Sequence, residues 1–294
     1  MTEQQIQTSI DLCLNQTTMT QKIWFITGIS SGLGKALVQT VIENGDFVIG
    51  TFRHQTQADI FNNQYKDEAF ALTLDITKPA EIEKAFKLIE DKFEKVDVLV
   101  NNAGFGFAGA IEETSIEETR EVFEANFFGT LQLTQAFLPL FRQQKSGHII
   151  QISSHGGFKA FPGFGIYNAS KFALEGFSEA LAIEVAPLGI KLTIVEPGPF
   201  RTNFAGSSFK QAEKTIEDYN PTAGAFRERM KQVDGKQEGN PIKAAQAIFD
   251  VTKLDTPPLR LPLGKIAIIS LTSKLDSVQK DINSFKEIAE SVVY

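Results

Sequence analysis

The chain has 294 residues, 42% hydrophobic and 22% charged, a composition that suits one large packed α/β domain and excludes wholesale disorder. Its formal net charge of −7 argues against nucleic acid or an anionic membrane surface as a partner. The one cysteine, Cys13, excludes an internal disulfide and fits a reducing, cytoplasmic setting.

In chain order, the N-terminal segment lacks the basic start and long apolar run of a secretory signal. Residues 1–20 are therefore expected to be a loosely ordered extension, or an upstream start outside the working fold, ahead of a single domain over 21–294. Residues 22–28 are a short apolar run ending in glycine, which predicts a buried strand. Apolar residues at 33, 37, 38, 41 and 42 form a helical stripe closed by Gly45. Strands are predicted at 46–52, 70–76, 96–104, 147–153, 190–198 and, at a sheet edge, 259–264. Helices are predicted at 55–65, at 79–93 with Pro79 at its start, and as one long helix over 115–144. Ser115 and Glu118 have the spacing of a capping box at that long helix's start. Further helices are expected to about Glu184, over 241–254 and over 266–290, with an irregular stretch at 200–240. Strands that alternate with helices from end to end predict a doubly wound, Rossmann-like parallel sheet of about seven strands, covered on both faces. No stretch approaches the ~18 uninterrupted apolar residues of a membrane span, and no metal site is expected.

Ile26–Gly34 reads ITGISSGLG and admits two chemistries. Gly28-Ile29-Ser30-Ser31-Gly32 fits the elbow that carries a hydrolase serine. It also fits a glycine turn that presents backbone N–H groups to a phosphate at a helix start. The hydrolase reading needs an acid and then a histidine later in the chain. The three histidines, His54, His148 and His155, leave the last 139 residues without one. Placement between the first strand and the first helix favours the phosphate turn.

The set TGISSGLG (27–34), NNAG (101–104), Asn126, ISS (152–154), YNASK (167–171) and PGPFRT (197–202) resembles the short-chain dehydrogenase/reductase family over about residues 22–270. The resemblance implies a nicotinamide cofactor cradled by Gly28, Ser30, Ser31, Gly32, Leu33 and Gly34. Asp75 and Ile76 would lie at the adenine, and Asn102, Ala103 and Gly104 along the adenine ribose. Pro197, Gly198 and Thr202 would lie at the nicotinamide, with Tyr167 and Lys171 also in contact. The catalytic set it implies is Asn126, Ser154, Tyr167 and Lys171, with Asn126 anchoring a water that leads from the lysine to solvent. It also implies pairing through the helices at 115–144 and 167–186 into homodimers or homotetramers.

The residues support that chemistry on their own terms. Tyr167 and Lys171 are four apart, so a helix puts them on one face. A free tyrosine titrates near ~10, and an ammonium ~4 Å away is worth roughly 4 kcal/mol at an effective dielectric of 20. Lys171 is therefore expected to draw the Tyr167 phenol toward neutrality. Ser154 can bond the substrate oxygen. Ser153 competes for that role, but strand alternation points the two serines opposite ways.

An acid at the end of the second strand usually holds a free ribose 2′-hydroxyl. Phe52 stands in that place and Arg53 follows, which favours the 2′-phosphate of NADP(H) over NAD(H). Residues 203–240 are expected to form a substrate lid. Phe105, Phe107, Phe158, Phe161, Phe164, Phe200, Phe204 and Phe209 would give the crevice an apolar lining. The leading expectation is an NADP(H)-dependent oxidoreductase that interconverts an alcohol with a ketone or aldehyde. The alternatives are an NADP(H)-binding regulator without turnover and a serine hydrolase.

Overall fold

The computed structural model describes residues 21–206 and 209–294, so the N-terminal extension expected over 1–20 lies outside the described residues. Seven parallel strands make the central sheet. They are β1 (Ile23–Ile26), β2 (Phe47–Phe52), β3 (Ala69–Thr73), β4 (Val98–Asn101), β6 (Gly147–Ile152), β7 (Ile190–Pro197) and β9 (Arg260–Leu263). Two three-residue strands, β5 (Gly106–Ala108) and β8 (Phe209–Gln211), pair apart from it. The spatial order is β3-β2-β1-β4-β6-β7-β9, so chain direction across the sheet reverses between β1 and β4. That reversal opens the crevice at the strand C-termini where such sheets bind ligands.

The strands are almost wholly apolar because helices cover both faces. Ile23 and Phe25 of β1 enter one core and Trp24 and Ile26 the other, the period-two alternation of a strand. On the first face lie α3 (Pro79–Lys92), α5 (Gly129–Gln144) and α6 (Gly165–Val185), with Phe25 against Phe137 at 4.9 Å. On the second lie α1 (Gly32–Glu43), α2 (Gln55–Gln64) and α8 (Pro241–Val251), where Trp24 stacks on Phe249 at 5.6 Å. Pro79 stands in the first turn of α3, where its missing N–H has no helical partner to lose.

The helix expected to run unbroken over 115–144 has three parts. Ser115 caps α4 (Ile116–Phe123) through the expected box: its hydroxyl accepts from Glu118 N at 3.2 Å, while Glu118 Oε2 accepts from Ser115 N at 2.8 Å. Glu124–Phe128 then forms one π-helical turn before α5 begins. The irregular stretch at 200–240 contains β8 and α7 (Ala225–Val233), and α9 (Lys265–Glu290) ends the fold. No described helix is long and apolar enough to cross a membrane.

Candidate active site

The turn from β1 to α1 is built for close approach. Gly28 and Gly32 take φ of +67° and +59°, where side chains are strained. A Cβ on Gly34 would lie 2.5 Å from Asn102 Nδ2 and 2.6 Å from Gly28 O, so helix and strand meet there only because glycine has none. Ser31, the N-cap of α1, makes no capping bond with its side chain, and the first turn carries no acid. The N–H groups at this helix start are thus left for an outside anion. Asn102 latches the turn: its Nδ2 donates to Thr27 O at 2.9 Å and Gly28 O at 3.1 Å. Asn101 does a different job, donating to Thr134 Oγ1 at 2.9 Å and tying β4 to α5.

This turn forms one wall of a cavity of about 1150 Å³ along the strand C-termini. Every residue expected at the cofactor lines it: Gly28, Ser30, Ser31, Gly32, Leu33, Arg53, Asp75, Ile76, Asn102, Ala103, Gly104, Tyr167, Lys171, Pro197, Gly198 and Thr202, with the one exception of Gly34. Gly34 sits behind the turn in the helix–strand contact. Arg53 is exposed at the cavity edge, and its charge reaches Asp75. Burial opposes ionisation of Asp75, but two bonds from Thr77 and the charges of Lys78 and Arg53 hold its pKa below the ordinary value. Glycine turn, bare helix start and cationic edge together fit a dinucleotide with its phosphates at α1.

At the other end of the cavity the C-terminus of β6 and the first turns of α6 bring Ser154, Tyr167 and Lys171 together. The two serines do part: Ser154 lies by the Tyr167 hydroxyl, and Ser153 faces Glu175. The expectation about the phenol fails in sign. Burial pushes Tyr167 up to about 12, with only the Ser154 hydroxyl opposing it. Lys171 donates instead to Ile152 O at 2.8 Å, and burial brings its own pKa down to about 8 while the charge of Glu175 props it up. A desolvated phenol costs more to ionise than this lysine returns.

Asn126 is fully buried in the π-turn and does not line the cavity. Its Oδ1 accepts from Phe105 N and its Nδ2 donates to Phe105 O, both at 3.0 Å, and Nδ2 lies 3.3 Å from Ser170 Oγ. The widened turn aims the side chain across at the loop after β4, as π-turns at functional sites often do. Ser30 is exposed on the glycine-turn wall of the cavity, whereas His148 and His155 bond Thr193 and Ser270 and are held near pKa 3 and 4 by burial. That arrangement removes both of these histidines from the hydrolase reading and leaves it only His54, which is exposed at the cavity edge.

A family profile described as "short chain dehydrogenase" matches residues 22–213. The chain is a short-chain dehydrogenase/reductase. It is 42% identical over 248 residues to an oxidoreductase of Botryotinia fuckeliana, covering 84% of this chain and 90% of that one. It is 37% identical to a 3-ketodihydrosphingosine reductase of Bacteroides thetaiotaomicron, with coverage of 84% and 90%. The crystal structure of a short-chain dehydrogenase from Streptomyces avermitilis superposes with a TM-score of 0.89 at 41% identity, covering 94% of this chain and 100% of that one. Membership makes the protein an oxidoreductase acting on CH–OH groups with a nicotinamide cofactor.

Behind the cavity this reductase carries a charge cluster, with Glu175 and Glu196 buried in it, that the sequence alone does not reveal. Arg260 of β9 reaches Glu175 and Glu179 of α6 at 3.5 and 3.3 Å and Glu196 of β7 at 3.3 Å. Burial raises both Glu175 and Glu196, the latter to about 7, against the pull of Arg260. Glu175 is one turn from Lys171, a spacing that in sequence reads only as a surface helix pair. Because Glu175 props up the Lys171 pKa, Glu175→Gln should lower it. We expect the alkaline limb of the reductase's pH–rate profile, set near pH 8, to move to lower pH in that variant. An unmoved limb would show that Lys171 titration does not govern it.

The Tyr167 end of the cavity is aromatic. Phe105, Phe161, Phe164, Phe200 and Phe204 line it as expected, and Phe226 of α7 joins them. Phe107, Phe158 and Phe209 do not line it. Phe107 and Phe209 pack behind the lining, and Phe158 lies under Arg260, its ring centre 5.6 Å away. The Tyr167 ring stacks on Phe164 at 4.1 Å, which fixes the phenol's direction.

Proposed function

We propose that the chain is an NADP(H)-dependent ketone reductase whose substrate carries a long apolar body beside its carbonyl. The observation that carries this reading is the position of Tyr167, a buried neutral phenol bounded by Ser154 on one side and a phenylalanine-lined cavity on the other. The bound cofactor would supply hydride to the carbonyl carbon. The Ser154 hydroxyl would donate to the carbonyl oxygen and hold it next to the phenol. Tyr167 would give that oxygen its proton. Its raised pKa is no obstacle in this direction, since a developing alkoxide is a far stronger base than a phenolate. Alcohol oxidation would need the phenolate, which this site disfavours. Lys171 would add positive charge next to the reacting oxygen, and Asn126 would fix the loop at Phe105 that walls the site. The name of the Bacteroides relative supports a long-chain 3-oxo substrate.

The preference for NADP(H) rests on Arg53, and on Phe52 standing where an acid would receive a 2′-hydroxyl. Arg53→Asp should raise KM for NADPH by about 10- to 100-fold and leave KM for NADH unchanged or lower. Equal losses for both would remove the 2′-phosphate role. The substrate assignment is tested by NADPH oxidation across 3-oxo esters of increasing chain length. A kcat/KM that climbs with each added pair of methylenes supports the apolar body, and a flat series overturns it. Tight NADPH binding with no turnover on any ketone would favour a regulator. A reducing, cytoplasmic setting is part of the same proposal.

A further inference from the structure

The C-terminal helix α9 is rooted in the domain and then leaves it. Ala267 and Leu271 are buried, His155 Nδ1 lies 3.1 Å from Ser270 Oγ, and Lys159 Nζ donates to Ser273 Oγ at 2.9 Å. From Leu275 to Glu290 every residue is exposed. A solvated helix of this length should be polar all round, because a lone helix of ~15 residues is marginal without an apolar partner. This one is not. Leu275, Val278, Ile282, Phe285 and Ala289 recur at alternating intervals of three and four, and the first four are 39–61% exposed. That is a heptad seam with Leu275, Ile282 and Ala289 at a and Val278 and Phe285 at d.

We propose that α9 pairs in parallel with α9 of a second copy as a short two-stranded coiled coil. The flanking charges argue for this occupant. In the parallel register Asp281, at g, faces Lys286, at the following e position of the other chain, and symmetry makes the contact twice. The four lysines of 265–290 are matched by four carboxylates, so the helix lacks the basic face that would draw it to an anionic lipid surface. The pairing lies apart from the long-helix contacts at 115–144 and 167–186 and would add to any dimer formed there.

The test uses Ile282→Cys in a Cys13→Ser background, Cys13 being the one native cysteine. In the parallel pair the two introduced thiols meet at an a–a′ layer, and mild oxidation yields a chain of doubled mass on a non-reducing gel. Adding Phe285→Glu, a change at an exposed position, lowers the yield at least fivefold. Asp281→Lys lowers it, and Asp281→Lys/Lys286→Asp restores it. No cross-link at Ile282→Cys overturns the proposal, as does a yield untouched by Phe285→Glu, which would mean random collision. Sedimentation of the Cys13→Ser protein with phosphatidylcholine vesicles, without cross-linking of the Ile282→Cys variant, overturns it in favour of a membrane-facing helix.

Discussion

Tyr167→Phe should lower ketone reduction by about 10⁴-fold, the upper end of what one general acid supplies, while NADPH binds with unchanged affinity. The substitution removes only the hydroxyl. The ring keeps its stack on Phe164, and Ser154 Oγ still accepts from Gly156 N at 3.0 Å, so the site's shape persists. Stopped-flow NADPH oxidation gives the rate, and fluorescence titration the affinity. Activity within tenfold of wild type would remove the phenol from the chemistry. Parallel loss of binding would make Tyr167 a cofactor residue first.

The second large effect concerns the segment at 203–240, which the sequence suggests as a substrate lid. Arg227 of α7 is buried and meets Glu113, in the loop after β5, at 2.5 Å (Nη1 to Oε2) and 3.3 Å (Nη2 to Oε1). The Glu113 carboxylate also accepts from Ala110 N at 2.8 Å and Ile216 N at 2.9 Å. Arg227, against the cost of burial, and these two N–H groups draw its pKa down to about 2. Breaking a buried pair by removing one partner costs roughly 3–5 kcal/mol, since the other charge is left uncompensated. Arg227→Ala should therefore detach α7, which carries Phe226, Arg229 and Met230 onto the cavity. We expect faster proteolysis within 209–233, a KM for the ketone raised at least tenfold, and little change in NADPH affinity. Unchanged proteolysis and KM would mean that β8 and the aromatic contacts hold this segment by themselves. The acid dependence follows in sign. Glu113 titrates lower in the fold than in the open chain, so its contribution is complete above about pH 4.5 and fades as pH falls toward 2.

The sheet was legible because buried parallel strands are continuous apolar runs, and each expected strand is present. The glycine turn and the Tyr167–Lys171 pair were legible because their spacing is local: a strand, a turn, and one helical turn. Features built from distant partners were not. Glu113 and Arg227 are 114 positions apart, and nothing at either marks a buried pair. Arg260 reads as an edge-strand cation, and only the fold places it between Glu175 and Glu196. β5 and β8 have three residues each, too few for any alternation to register. The π-turn at Asn126 lies in a pattern that reads as unbroken helix, with only a polar residue among phenylalanines as a signal. The phenol's direction of shift was misjudged for a physical reason: spacing gives the charge one turn away but not the desolvation, and here desolvation is the larger effect.

The most direct test is to supply NADPH deuterated at C4 with a long-chain 3-oxo ester and to measure the alcohol by mass spectrometry. For one of the two C4 epimers of the labelled cofactor, the product should carry a single deuterium on its carbinol carbon, formed by wild type and not by Tyr167→Phe. No alcohol, or an alcohol free of deuterium with both epimers, would contradict the assignment.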